Sequence, residues 1–186
     1  MCYLLLPADI YPDRYWFKYN FNESPDHLSF KKGTPQREWA KAPRFHLQGE
    51  IDLDRLLLFD WFMTDGPDLI GPRLSALIRQ YAPHDVQLID AEVLVNGEPL
   101  RGFQVPNITT VIDCLDMEES VYVPLLPGVH GSPPHFISTI FRPHALDGHG
   151  LVRSNEDISL IVASAEFAEA CRAQNITGIR FQENLT

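Results

Sequence analysis

Apolar residues recur at helical spacing in two stretches of the chain and alternate, or run together, in most others. Leu74, Leu77, Ile78 and Tyr81 fall at i, i+3, i+4 and i+7, which is one stripe of an amphipathic helix. Pro72 suits the first helical position, where its missing N–H costs nothing, and Pro83 ends the segment. A second stripe, Phe167, Ala170 and Cys171, follows Ser164, whose hydroxyl can accept from an early helical N–H. That helix should end near Gln174, with Thr177-Gly178 turning the chain into a strand at residues 179–182. Residues 3–6 read as a strand. Residues 86–95 read as another, with Ile89, Ala91, Val93 and Val95 on one face and Asp90 and Glu92 on the other. Asn96-Gly97 is a hairpin signal because both residues tolerate positive φ, with residues 100–105 as the returning strand. Residues 108–115, 120–126 and 158–162 are further β-rich or apolar runs, and residues 136–141 alternate within an otherwise loop-like stretch, 127–150, rich in proline and glycine.

Residues 1–49 are aromatic-rich and broken by prolines and glycines, as in Tyr15-Trp16-Phe17 and Gly33-Thr34-Pro35. They read as short strands with long loops, and their aromatics argue against disorder. An offset of 93 residues lays Leu69 on Val162, Leu74 on Phe167, Ile78 on Cys171 and Val86 on Ile179. This coincidence suggests a repeated apolar-run, helix, strand unit. The alternative is that any two amphipathic helices placed before strands align in this way. The expected fold is α+β: a mixed, mainly antiparallel sheet with a few short helices, divisible into two related lobes that each carry a helix–strand unit. The expected organisation is a single domain over residues 1–186, with 1–126 and 127–186 as its sub-lobes.

Composition narrows the classes of function. Hydrophobic residues make up 45% and charged residues 22%, ordinary for a globular protein, and no apolar run reaches the length of a membrane span. The apolar start stops at Pro7 and has no basic flank, so no signal peptide is expected. The triplets beginning at Asn22, Asn107, Asn175 and Asn184 are therefore read as chance glycosylation matches. Three widely spaced cysteines, at 2, 114 and 171, fit a reducing compartment rather than a disulfide framework. The net charge of −10 is unevenly spread. Residues 1–49 hold seven basic and five acidic side chains (+2), while residues 50–186 hold eight arginines and twenty carboxylates (−12), with no lysine after Lys41. Such a surface repels phosphate backbones and steers a basic protein partner.

The order of these segments resembles the eleventh-catalogued immunity-protein family of bacterial polymorphic toxin systems. The residues that carry the likeness are the Tyr3-Leu4-Leu5 strand, the helix within residues 69–78, and Asp113-Cys114-Leu115-Asp116 through Ser120. To these is added the terminal run from Leu160 to Phe181 with Thr177-Gly178-Ile179-Arg180-Phe181. Gly71 stands where the family has a serine cap, and the stretch 128–150 is longer and richer in histidine than the family pattern. The resemblance implies a cytoplasmic protein that binds and neutralises a cognate toxin, a secretion-system effector, and it does not say which toxin.

Candidate chemistry is sparse. His130 and His135, then His144 and His149, form two H-x₄-H pairs that Asp147 could complete as a metal site. They sit among prolines and glycines, not on a helix face, so a solvated loop is the competing reading. Cys114 reads as a buried strand residue rather than a nucleophile. Asp113, Asp116, Glu118 and Glu119 lack the spacing of a calcium loop. No phosphate-binding glycine loop, nucleophile elbow or H-E-x-x-H motif occurs. What remains is an acidic rim, Asp52, Asp54, Asp60, Asp65 and Asp68, around Trp61 and Phe62. Together with Asp116, Glu118 and Glu119 it is the candidate partner-binding surface, with Trp61 as aromatic anchor. The alternative places Trp61 and Phe62 in the core, and the same choice applies to Trp39. The expected function is thus occlusion of a toxin with a basic active-site surface, without cofactor or catalysis. A small metal-dependent hydrolase or dioxygenase using loop 130–149, and a toxin-loading adaptor or chaperone, stay open as alternatives.

Overall fold

The computed structural model describes residues 1–37 and 41–185. Among them the chain forms four helices and four small sheets. Helix α3, Pro72–Tyr81, and helix α4, Ala165–Ala173, are the two that the stripes predict. The Ser164 hydroxyl accepts from the Phe167 N–H at 3.2 Å. Gly71 provides no side-chain cap, and α3 starts instead on Pro72. Two helices too short to show a stripe, α1 at His27–Lys31 and α2 at Leu53–Leu56, each start at a capping aspartate, Asp26 and Asp52.

Each long helix joins two strands that run parallel in one sheet, and each time a third strand lies antiparallel between them. Leu69–Ile70 and Val86–Asp90 flank Gln104–Ile108, while Ile161–Ser164 and Ile179–Gln182 flank Cys2–Pro7. The helices start at 72 and 165 and the strands after them at 86 and 179, so the two units keep the 93-residue offset seen in the sequence. α3 and α4 lie against one another. Leu74, Leu77 and Ile78 of the first and Phe167 and Cys171 of the second share one core with residues of both sheets. The mixed, largely antiparallel α+β class is as expected.

Two predicted strands are corrected in detail. Residues 86–95 do not form one strand: Val86–Asp90 belongs to the α3 sheet, and Glu92–Val95 pairs in a third sheet with Arg44–Leu47 and Glu98–Leu100. Ala91 is the corner, and its N–H donates to the Phe103 carbonyl at 3.0 Å. Likewise the run expected over residues 108–115 is divided: Ile108 ends Gln104–Ile108 of the α3 sheet, and Val111–Ile112 enters the α4 sheet, where it runs parallel to Leu151–Ser154. Strands that switch sheets at bends make the corners of such packings. The Asn96-Gly97 turn is formed as expected, with φ of 51° and 86°, but the strand that returns from it is Glu98–Leu100 rather than residues 100–105. The third sheet is completed by Lys18–Tyr19 and closes over an aromatic core, in which the Phe17–Phe62 and Phe62–Phe103 ring centroids are each 5.5 Å apart.

The α3 and α4 sheets are fastened at two seams, each by a buried aspartate. At one, Asp60 accepts from the Thr177 N–H at 3.0 Å while the Asp60 and Trp61 N–H groups donate to the Thr177 carbonyl. At the other, Asp85 accepts from the Gly150 N–H at 2.7 Å and meets His149 Nδ1 at 2.6 Å. A glycine lies at each seam because nothing larger fits. A Cβ on Gly150 would collide with the Tyr81 carbonyl, and one on Gly178, which sits at φ +87°, with the Trp61 carbonyl. Burial pushes the Asp85 carboxyl up, but the His149 bond and the Gly150 and Leu151 amides outweigh it and hold its pKa below the ordinary aspartate value.

A depressed folded pKa contributes stability that is present above the unfolded value and lost as pH falls through the folded one. Asp85→Asn should therefore cost about 2–3 kcal/mol at neutral pH. That deficit should shrink below about pH 4, as urea titrations of both proteins across pH 3–7 would show. Gly178→Ala should lose more than about 1–2 kcal/mol from strain and overlap together, read as a lowered melting temperature, whereas Gly128→Ala, with open space around its Cβ position, bears only the φ strain.

Candidate functional site

The acidic residues proposed from sequence divide into two groups. Asp60 and Trp61 are each 3% exposed and belong to the seam, where they offer no surface to a partner. Asp60 also pairs with Arg73, whose guanidinium donates to the Gln174 carbonyl. The Asp68 carboxyl faces inward. Burial raises its pKa, against the opposing pull of Arg153, the Trp61 indole and Lys31. Asp65 accepts from the Tyr19 N–H at 2.7 Å and pairs with Lys18 at 3.3 Å. Asp52 and Asp54 stay outside on α2, and the apolar side chains beside them are leucines: Leu53, Leu57 and Leu58 are 43%, 52% and 64% exposed. Trp39 lies outside the described residues.

The four histidines are dispersed. His130 and His135 stand on an exposed hairpin, His144 pairs with Asp147 at 3.3 Å, and His149 is bound to Asp85. Among the described residues no three His, Cys, Asp or Glu side chains converge as metal ligands. His149 and Cys2 share a cleft of about 880 Å³ with Tyr81, Leu146 and Glu166. The Asp85 carboxylate behind His149 is already engaged by two backbone amides, and burial raises the Cys2 thiol pKa. The pair is thus tied to the seam rather than poised beside a thiolate. Cys114 is fully buried, and burial pushes its thiol to about 12.

Asp116, Glu118 and Glu119 lie at the foot of a hairpin whose strands the sequence places near residues 120–126 and 136–141 but whose pairing it does not show. Val121–Pro124 and Pro134–Ser138 pair antiparallel as a two-stranded sheet with no third strand. Its tip is closed by the Leu125 N–H to the Pro133 carbonyl at 2.9 Å and the Leu126 N–H to the Ser132 hydroxyl at 2.8 Å. Every residue from 121 to 131 is exposed, and Phe136 is the one side chain of the two strands that is buried. At the base the Asp116 N–H donates to the Ile140 carbonyl at 2.7 Å, and the Ile140 N–H to the Ser120 hydroxyl at 2.9 Å. Behind it Glu156 accepts from the Cys114 and Leu115 amides, at 3.2 and 3.0 Å. The signal for this hairpin in the sequence is that residues 120–141 contain no Asp, Glu, Lys or Arg.

No helix among the described residues is long and apolar enough to cross a membrane. No curated protein matches the chain. The model of the immunity protein family Imm11 matches residues 8–186, a span that takes in both strand–helix–strand units, both seams and the hairpin, and the chain belongs to that family.

Proposed function

We propose that this chain is an immunity protein that binds a cognate toxin and neutralises it by covering its working surface, without catalysis of its own. The observation that carries the reading is the family match over residues 8–186. The charge distribution supports it. Beyond residue 49, twenty carboxylates face eight arginines, and most of those arginines are engaged within the fold. Arg73 and Arg180 pair with Asp60 and Asp9, Arg142 with Glu156, and Arg172 lies over the Tyr3 ring at 4.6 Å. The side chains of Asp52, Asp54, Asp116, Glu118 and Glu119 lie at or near the surface, so the field outside the protein is negative and favours a toxin with a basic cleft. The cytoplasm, where such a toxin would meet its target, is the compartment that fits three free cysteines.

Co-expression with the protein encoded by the adjoining gene tests the reading. An inhibitor restores growth to cells that the neighbour alone kills. Binding without rescue would replace inhibition by a loading or chaperone role, and no binding would sink both. In the complex, association should slow at least about tenfold from low to high salt, measured by stopped flow. An association rate indifferent to salt would overturn the electrostatic half.

A further inference from the structure

We infer that the hairpin of residues 121–138 is the inserting element of this protein: a preformed apolar finger that enters an apolar cleft rimmed by lysine and arginine on the toxin. The inference deepens the immunity reading and rests on it. Leu125, Leu126 and Val129 at the tip are 56%, 55% and 54% exposed, and Val121, Val123 and Ile137 on the strands lie between 44% and 53%. Apolar surface of this extent, contiguous along one projecting element, marks an interaction site.

The form of the finger selects side-chain insertion over strand addition. Pro124, Pro127, Pro133 and Pro134 lack the N–H groups that an added strand would need. A partner therefore meets the finger's side chains, which calls for a concave surface. The base is already ordered by the Asp116, Ile140 and Glu156 hydrogen bonds, so docking need not bear the ordering cost of a free loop.

Charge identifies the occupant. Between Arg101 and Arg142 there is no basic residue other than histidine, and the only acids are Asp113, Asp116, Glu118 and Glu119, all N-terminal to the hairpin at its foot. The finger is thus a segment without Asp, Glu, Lys or Arg that rises from a limb carrying four carboxylates. A second copy would bring its own four carboxylates against these and be repelled. A cleft ringed with lysine or arginine would be drawn in.

The test uses the full-length chain and, as probe, the purified product of the adjoining gene. Three proteins are titrated: wild type, Leu125→Glu/Leu126→Glu, and Leu57→Glu/Leu58→Glu in the exposed leucines beside α2. All three should melt alike, since each altered side chain is solvent-facing. The finger variant should weaken binding by about 100-fold or more and lose rescue of growth, and the α2 variant should stay within about threefold. Glu118→Gln/Glu119→Gln should slow association and leave dissociation near wild type. Rescue and affinity unchanged in the finger variant would overturn the inference while leaving the immunity reading intact, as would loss of binding confined to the α2 variant. Sedimentation of wild type alone as a dimer that Leu125→Glu/Leu126→Glu dissociates would overturn it in favour of a second copy. A wild type that neither binds nor protects would remove both readings together.

Discussion

Where two sheets meet edge to edge, backbone amides lose both their ladder partners and water, and each must find another acceptor. This fold meets that demand with a carboxylate at each seam. Asp60 serves the turn that follows α4, and Asp85 the strand that begins at Leu151. Both lie 3% exposed, and both have a cationic or imidazole side chain alongside, Arg73 for one and His149 for the other. The spacing of the seams is set by Gly150 and Gly178, which let carbonyls of the facing unit approach within the space of a methyl group. With the seams fixed, α3 and α4 are held against each other and the shared core between the sheets is closed. The 880 Å³ cleft beside His149 follows from the same geometry.

Much of this is legible in the sequence wherever one element answers to one local pattern. The stripes of α3 and α4, the Ser164 cap, the Asn96-Gly97 turn and the first strand all follow from local rules. The strand Leu151–Ser154 is not legible, because its four buried positions include Arg153 and Ser154. The arginine is accommodated by the carbonyls of Ile158, five residues on, and Phe30, 123 residues away in sequence. Nor does alternation show that residues 86–95 change sheets at Ala91, since the period of two survives the bend. Asp60 and Trp61 read as surface because Asp52, Asp54, Asp65 and Asp68 lie close by in sequence, yet it is a partner 117 residues away, Thr177, that draws Asp60 inward. Asp85 carries no local signal, because its function depends on a segment 65 residues later.

Polar and apolar surface are separated more sharply than the bulk composition suggests. Most arginines of the acidic part are absorbed into ion pairs, ring contacts and carbonyl contacts, so its carboxylates dominate the exterior. The hairpin sits at the opposite extreme, with no Asp, Glu, Lys or Arg and only two histidines. A hairpin alone is marginal in water, and this one is supported from below, by Phe136 packed into the third core with Leu115 and Leu146 and by the Tyr122–Phe136 ring contact at 5.5 Å. Long-range charge and short-range apolar contact are thereby assigned to different parts of one surface.

The strand Cys2–Pro7 has both of its sheet neighbours in the last quarter of the chain, Ile161–Ser164 on one side and Ile179–Gln182 on the other. During synthesis it leaves the ribosome with Leu4 and Leu5 unpaired on both edges, and its first partner follows about 8–30 s later at ordinary elongation rates. The α3 sheet, whose strands all lie between residues 61 and 108, can assemble in that interval. The α4 unit cannot. A nascent or truncated chain that ends before residue 160 therefore carries an open, apolar strand and no second sheet. The α4 sheet therefore closes late, when residues 2–7 meet residues 161–164 and 179–182.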